Sequence, residues 1–267
     1  MAIRRVLLTA LFGLGGLYLA LSALLFCFQR RLIYPAPRTA FALPQASGYE
    51  DVRLRTADGL TLRALYKPAT GPRPVLVFFH GNGDSLGGAI VATRLFAEAG
   101  YGLLLPEYRG YGGNPGSPSE EGLYRDGEAA LQWLGGRGVT PGGIVLVGNS
   151  LGSGVATEIA ARHAVKGLVI VSGFTSLTDV AASHMRFFPT RVLLRDRYEN
   201  AAKLDRVTGP VLVIHGDTDS LIPPDHGAAL ARAARRGRLE TVRGVGHELA
   251  YLPSAQAIVL RWLETLD

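Results

Sequence analysis

Five short, unbroken apolar runs constrain this chain more than any other feature: residues 75–79, 102–105, 144–147, 168–171 and 211–214. Runs of this length without polar alternation describe strands buried on both faces, as in a parallel sheet covered by helices above and below. Helical stretches separate or follow them at 89–99, 120–134, 151–162, 225–236 and 254–266, and a last strand is expected at 239–243. Alternation of strand and helix specifies an α/β fold with a mostly parallel twisted sheet and helices on both faces. Ahead of it, residues 52–56 and 61–66 alternate apolar and polar around Asp58 and Gly59, the pattern of an antiparallel hairpin with one wet face.

Two segments fall outside that rhythm. Residues 6–28 carry no charge and no proline, and as a helix they would rise roughly 34 Å, enough to cross the hydrocarbon core of a bilayer. They read as an uncleaved transmembrane anchor, because the apolar run continues through residues 24–28, past the small residues Ala20 and Ser22 where a signal would be cut. Arg4 and Arg5 flank one end and Arg30 and Arg31 the other, so the basic residues do not orient it. The chain then divides into a tail at 1–5, the anchor at 6–28, a Pro-containing juxtamembrane linker at 29–50 and a globular domain at 51–267. The second irregular segment, at about 180–209, is too long for an ordinary connection and carries Phe187, Phe188, Leu193 and Leu194 among arginines; it reads as a short helical lid.

A net charge of +6 arises from arginine, with Lys67, Lys166 and Lys203 as the only lysines. No basic stripe with interleaved aromatics on a recognisable module accompanies it, so nucleic acid is not an expected partner. For a tethered chain the charge suits anionic headgroups, and equally an evenly solvated basic surface. The lone Cys27 excludes an intramolecular disulfide. Neither a metal-ligand cluster nor a nucleotide-binding fingerprint is present, so no cofactor is expected.

Ligands of open α/β sheets bind beyond the carboxyl ends of the strands, and two of the loops there contain Gly-x-Ser-x-Gly, centred on Ser150 and Ser85. At Ser150 an apolar run leads directly into Gly148 and a helical stretch follows at once, the context of a sharp elbow that lifts a serine hydroxyl out of the sheet. Ser85 lies several residues past its strand, so its expected role is to cap the helix that follows. A serine hydroxyl needs a base held in the right tautomer by a carboxylate. Of the histidines after Ser150, only His247 sits in a late, glycine-flanked loop beyond the last strand. The turn after the 211–214 run offers Asp217 and Asp219; Asp217 is close enough to the strand end to serve as a turn residue, and spacing favours Asp219. An oxyanion hole needs two backbone N–H groups, expected from Leu151, next to the nucleophile, and from Asn82 in the His80-Gly81-Asn82 loop.

Several stretches together resemble the α/β-hydrolase superfamily, and within it the membrane-anchored serine hydrolases that are monoacylglycerol-lipase-like or serine-aminopeptidase-like. They are 79–82, 108–112, 118–124, 148–152, 215–219 with Ile222 and Pro223, and Gly246 with His247, so the resemblance covers nearly the whole chain from Val52 onward. It implies an α/β-hydrolase fold with a lid, and a catalytic Ser150, Asp219 and His247, the acid being the second carboxylate of its turn. Glu107 departs from the Asp usual before Tyr-Arg-Gly-Tyr-Gly; it and Arg109 read as residues that fix the loop beneath the site. The expected function is hydrolysis of a carboxylic ester of a lipid or acyl-chain substrate, with thioester or amide hydrolysis by the same residues as the alternative, and a non-catalytic binding scaffold as a third reading.

Overall fold

The computed structural model describes residues 2–45 and 47–266. Its first element is a helix, α1 (Ala2–Ile33), followed by the hairpin strands β1 (Glu50–Arg55) and β2 (Thr61–Lys67) and by β3 (Val75–Phe79). Helices α2 (Leu86–Ala92) and α3 (Arg94–Glu98) lead to β4 (Gly102–Pro106), then α4 (Glu120–Gly135), β5 (Ile144–Asn149), α5 (Leu151–Arg162) and β6 (Gly167–Val171). The insertion contributes α6 (Leu177–His184) and α7 (Thr190–Leu193), and the chain closes with β7 (Val211–Gly216), α8 (Pro224–Ala233), β8 (Gly237–Val242) and α9 (Pro253–Leu263).

Among the described residues the strands form one sheet in the order β1-β2-β4-β3-β5-β6-β7-β8. The hairpin joins antiparallel, Val52 opposite Ala64 and Ala64 opposite Pro106, and from β4 onward every pairing is parallel. Because β4 lies on one side of β3 and β5 on the other, the winding reverses there, and that reversal opens a crevice beyond the ends of β3 and β5.

The apolar runs are buried on both faces for a direct reason. Val77, Phe79, Leu146, Ile170 and Val213 point into one core with Leu123, Val155, Ile159 and Leu230 of α4, α5 and α8. Their neighbours Leu76, Phe78, Val145, Val169 and Leu212 point the other way, against Leu86, Phe96, Val259 and Trp262 of α2, α3 and α9. Each such side chain, removed from water, contributes about 1.5–3 kcal/mol.

Three local expectations change. The stretch expected as one helix from 89 to 99 begins earlier and breaks at Thr93, whose hydroxyl donates to the Ala89 carbonyl at 2.7 Å. The groups freed by the break find Gln256 of α9, which accepts from the Leu95 N–H at 3.1 Å and donates to the Val91 carbonyl at 3.0 Å. Ser85 occupies the N-cap position of α2 but its side chain makes no capping bond; instead Asp84 accepts from the Ser85 N–H at 2.7 Å and Glu107 from the Leu86 N–H at 3.3 Å. Finally, α1 continues past Phe28 through Arg30 and Arg31, and the chain after it is tied down, the Pro37 carbonyl accepting from the Gly112 N–H at 2.7 Å.

Arg109 fastens the hairpin to the parallel sheet. Its Nε and backbone N–H donate to Asp126 of α4 at 2.8 and 2.9 Å, and its two Nη atoms to Asp58 in the hairpin turn at 2.7 and 3.1 Å. Both Arg109 and Asp126 are buried, so removing one partner leaves a charge stranded away from water. Asp126→Ala is expected to lower the unfolding free energy by ~3 kcal/mol, the lower end for a broken buried pair because Asp58 still holds Arg109; urea unfolding followed by circular dichroism measures it.

Candidate active site

The elbow after β5 is strained backbone. Ser150 has φ 49° and ψ −115°, a left-handed region that a non-glycine residue occupies at a cost of about 1–3 kcal/mol. Its N–H donates to the Val171 carbonyl of β6 at 2.9 Å, which holds the turn. The flanking glycines are steric necessities: a Cβ on Gly148 would lie 2.5 Å from the Gly152 carbonyl oxygen, and one on Gly152 would lie 2.0 Å from the Phe79 carbonyl oxygen. The start of α5 is thereby pressed against the end of β3, and the serine hydroxyl is left half exposed in the crevice.

The late loop brings His247 to it. His247 Nε2 lies 2.9 Å from Ser150 Oγ, and His247 Nδ1 lies 2.8 Å from Asp219 Oδ2. With Nδ1–H donated to the carboxylate, Nε2 is left unprotonated and able to accept the serine proton. The Asp219 side chain is fully buried whereas that of His247 is 27% exposed, so the carboxylate is sealed and the imidazole faces the crevice. Asp219 Oδ1 accepts from the Leu221 and Ile222 amides at 3.0 and 2.9 Å. Asp217 does what a turn residue does, accepting from the Gly244 N–H at 2.6 Å and so joining the Asp219 loop to the His247 loop.

Burial alone would raise the Asp219 pKa, but hydrogen bonds from His215, His247 and the Ile222 amide outweigh it and hold the carboxyl well below the usual carboxylate range. His215, near the end of β7, is a further contributor that motif order does not single out. Its Nε2 lies 2.8 Å from the Ile222 carbonyl oxygen and 3.5 Å from Asp219 Oδ2, so one proton is shared unequally between them. The four-residue step from His215 to Asp219 was the available signal. The other downstream histidines have partners elsewhere: His163 with Glu128, His184 with the Leu221 carbonyl and His226 with Thr175.

The loop after β3 faces the elbow. A Cβ on Gly81 would meet Asn149 Nδ2 at 3.1 Å and the Ser150 Cβ at 3.6 Å. Among the described residues, neither the Asn82 N–H nor the Leu151 N–H donates to a protein acceptor, which leaves both available to an oxyanion. The Asn82 side chain is held by the Tyr111 hydroxyl at 3.1 Å. Beneath, His80 Nε2 lies 2.9 Å from Glu107 Oε1, both groups buried. Burial opposes the imidazolium, but the Glu107 carboxylate prevails and raises the His80 pKa above its ordinary value. The longer Glu in place of Asp spans both His80 and the Leu86 amide. Tyr251, in the turn that begins at His247, donates to Asp84 Oδ2 at 2.7 Å and ties the base loop to the loop after β3.

Comparison with known proteins agrees with this architecture. A profile of the alpha/beta hydrolase fold matches residues 74–198, and one of a serine hydrolase family (FSH1) matches residues 145–256. An uncharacterized protein of Mycobacterium tuberculosis is 42% identical over 229 residues, covering 82% of this chain and 80% of that one. The lysophosphatidylserine lipase ABHD12 of Danio rerio is 28% identical over 208 residues, 70% of this chain and 53% of the lipase. Among solved structures, an acetyl xylan esterase from Paenibacillus sp. R4 aligns with a TM-score of 0.65 at 20% identity, over 84% of this chain and 86% of the esterase. The chain belongs to the α/β-hydrolase superfamily, as its motifs implied.

A depressed carboxylate pKa sets a pH dependence of stability. Folding favours ionised Asp219, so its contribution is complete above the unfolded-state value of about 3.9 and is lost as pH falls through the lower folded value. The stability gap between the wild type and Asp219→Asn is therefore expected to be constant from about pH 5 upward and to shrink below about pH 4. Urea titrations at successive pH values test this; a gap unchanged down to pH 3 contradicts it.

Proposed function

We propose that this chain hydrolyses a carboxylic ester of a lipid or other acyl-chain substrate, with Ser150 as nucleophile, His247 as base and Asp219 orienting the base. The observation that carries this reading is the unbroken hydrogen-bond line from Ser150 Oγ through His247 to Asp219. His247 Nε2 takes the Ser150 proton as Oγ attacks the ester carbonyl carbon. The Asn82 and Leu151 amides receive the negative charge that develops on the carbonyl oxygen, each donor being worth roughly 10²–10³ in rate. Collapse expels the alcohol, which leaves with the proton held by His247, and an acyl-enzyme remains on Ser150. Water, deprotonated by His247, attacks the acyl carbon, and the acid departs as Ser150 recovers its proton.

A lipid or acyl-chain substrate is supported by α1, a helix long and apolar enough to cross a membrane, and by the apolar insertion beside it. We assign residues 6–28 as a membrane anchor and residues 180–209 as a lid on that basis. The relative named as a lysophosphatidylserine lipase points the same way. Thioester and amide hydrolysis by the same three residues are the alternatives, since they share the acyl-enzyme chemistry.

Ser150→Ala is expected to abolish labelling by a fluorophosphonate probe and to lower kcat for an activated ester roughly 10⁴-fold or more, with Ser85→Ala retaining both. Labelling that survives in Ser150→Ala rejects the assignment. A panel of esters, thioesters and peptide amides of matched acyl length tests the bond cleaved, and a preference for the amide overturns the ester reading.

A further inference from the structure

The N-terminal helix does more than stand beside the domain. An apolar cavity of about 170 Å³ lies between it and the insertion, walled by Leu25, Phe26 and Ile33 on one side and by Leu177, Ala181 and Phe188 on the other. A polar residue on this wall, Gln29, has its amide fully engaged: Nε2 donates to the Phe26 and Leu193 carbonyls at 2.9 and 3.1 Å, and Oε1 accepts from the Arg195 N–H at 2.8 Å. The cavity therefore offers hydrocarbon contact and room for a length of chain, not a headgroup.

We propose that this cavity receives the acyl chain of a bilayer lipid, so that α1 forms half of the substrate site. The proposal rests on the reading that Ser150 cleaves a lipid ester.

The lid is clamped to the helix at two levels. Near the domain, Arg30 pairs with Asp196 at 2.9 and 3.1 Å, and the Tyr34 and Tyr198 hydroxyls meet at 2.9 Å. Further out, the Tyr18 hydroxyl donates to the Phe187 carbonyl at 3.0 Å while the Tyr18 and Phe188 rings stack with centroids 5.7 Å apart. Tyr18 lies roughly 22 Å along the helix from Ile33 at 1.5 Å per residue, so the lid tip travels far along the apolar surface of the anchor. At that tip Phe187 is 89% and Val192 76% exposed. Large apolar side chains left bare beside a helix that suits a bilayer mark the rim of the cavity as a lipid-facing surface. A lipid thus enters the cavity sideways, without its chain crossing water.

The cavity wall is tied to the candidate site through α6. Val171, whose carbonyl accepts from the Ser150 N–H, is separated from Leu177 on the cavity wall by at most ~20 Å of extended chain. At the other end of α6, His184 Nε2 contacts the Leu221 carbonyl oxygen at 2.9 Å, beside the Asp219 turn. Helix α6 thus carries Leu177, Val180 and Ala181 on the cavity wall and reaches the Leu221 segment at its far end. A cavity lined by hydrocarbon side chains favours a long acyl group over an acetyl group.

The full chain in phosphatidylcholine vesicles provides the test. Ala181→Trp fills the cavity from the lid and Leu25→Trp fills it from α1; each is expected to lower the ratio of palmitoyl-ester to acetyl-ester kcat/KM at least about tenfold. A cooperative thermal transition in each variant certifies its fold. In parallel, vesicles containing phosphatidylcholine with a diazirine on the acyl chain are irradiated with the Ser150→Ala protein, and crosslinks are expected in peptides spanning 25–33 and 177–194, lost when Ala181→Trp is added. An unchanged ratio in Leu25→Trp removes α1 from the site, and crosslinks spread evenly along α1 and indifferent to Ala181→Trp overturn the cavity as an acyl site. Failure of fluorophosphonate to label Ser150 in the wild type overturns the hydrolase reading instead, and the crosslinking pattern still judges the cavity.

Discussion

The elbow at Ser150 is the constraint from which the rest of the site follows. A backbone at φ 49° is held there because Gly148 and Gly152 admit no side chain between α5 and the end of β3. Two cores, one on each face of the sheet, clamp the strands and helix that the turn joins. A local strain of about 1–3 kcal/mol is small beside that burial. Its return is positional: the hydroxyl stands in the crevice where the sheet reverses its winding, facing the loop after β3.

Around that point the groups of the candidate site come from the ends of β3, β5, β7 and the segment after β8, and each loop is tied to another by a polar contact. Asp217 joins the β7 loop to Gly244, Tyr251 joins the His247 turn to Asp84, and Glu107 joins β4 to both His80 and α2. Donors and acceptors fixed before substrate arrives need little reorganisation during reaction, which is where such a site derives its rate. The same ties explain why a buried carboxylate at Asp219 stays ionised: its hydrogen-bond partners are delivered by elements that cannot drift away.

The insertion and α1 behave as one body because polar contacts anchor an otherwise apolar interface. Asp196 accepts from Arg30 on the helix and from the Glu120 N–H at the start of α4, linking α1 to the domain core. Tyr198 repeats the pattern two residues later, meeting Tyr34 by its hydroxyl and Phe174 by its ring. The insertion is thus held to the N-terminal helix by polar as well as apolar contacts.

Much of the fold was legible in the amino-acid sequence, since a strand buried on both faces is apolar at every position, and residues 75–79 and 211–214 carry that pattern between turn residues. The glycines around Ser150 and the order in which Ser150, Asp219 and His247 follow successive strands were legible for a similar reason: turn geometry and chain order are local properties. What stayed hidden depends on partners far along the chain. The helix break at Thr93 is completed by Gln256, the capping expected of Ser85 is supplied by Asp84 and Glu107, and His215 shares its proton with Asp219 only because the turn folds back over it. The docking of the insertion on α1, through Gln29, Arg30 and Tyr34, belongs to the same class. By itself the sequence determined the sheet, the elbow and the residue types at its crevice, because periodicity and sterics act over a few residues. Only the tertiary structure decided which polar groups satisfy one another and where the insertion rests, because a hydrogen bond between distant segments has no local pattern that announces it.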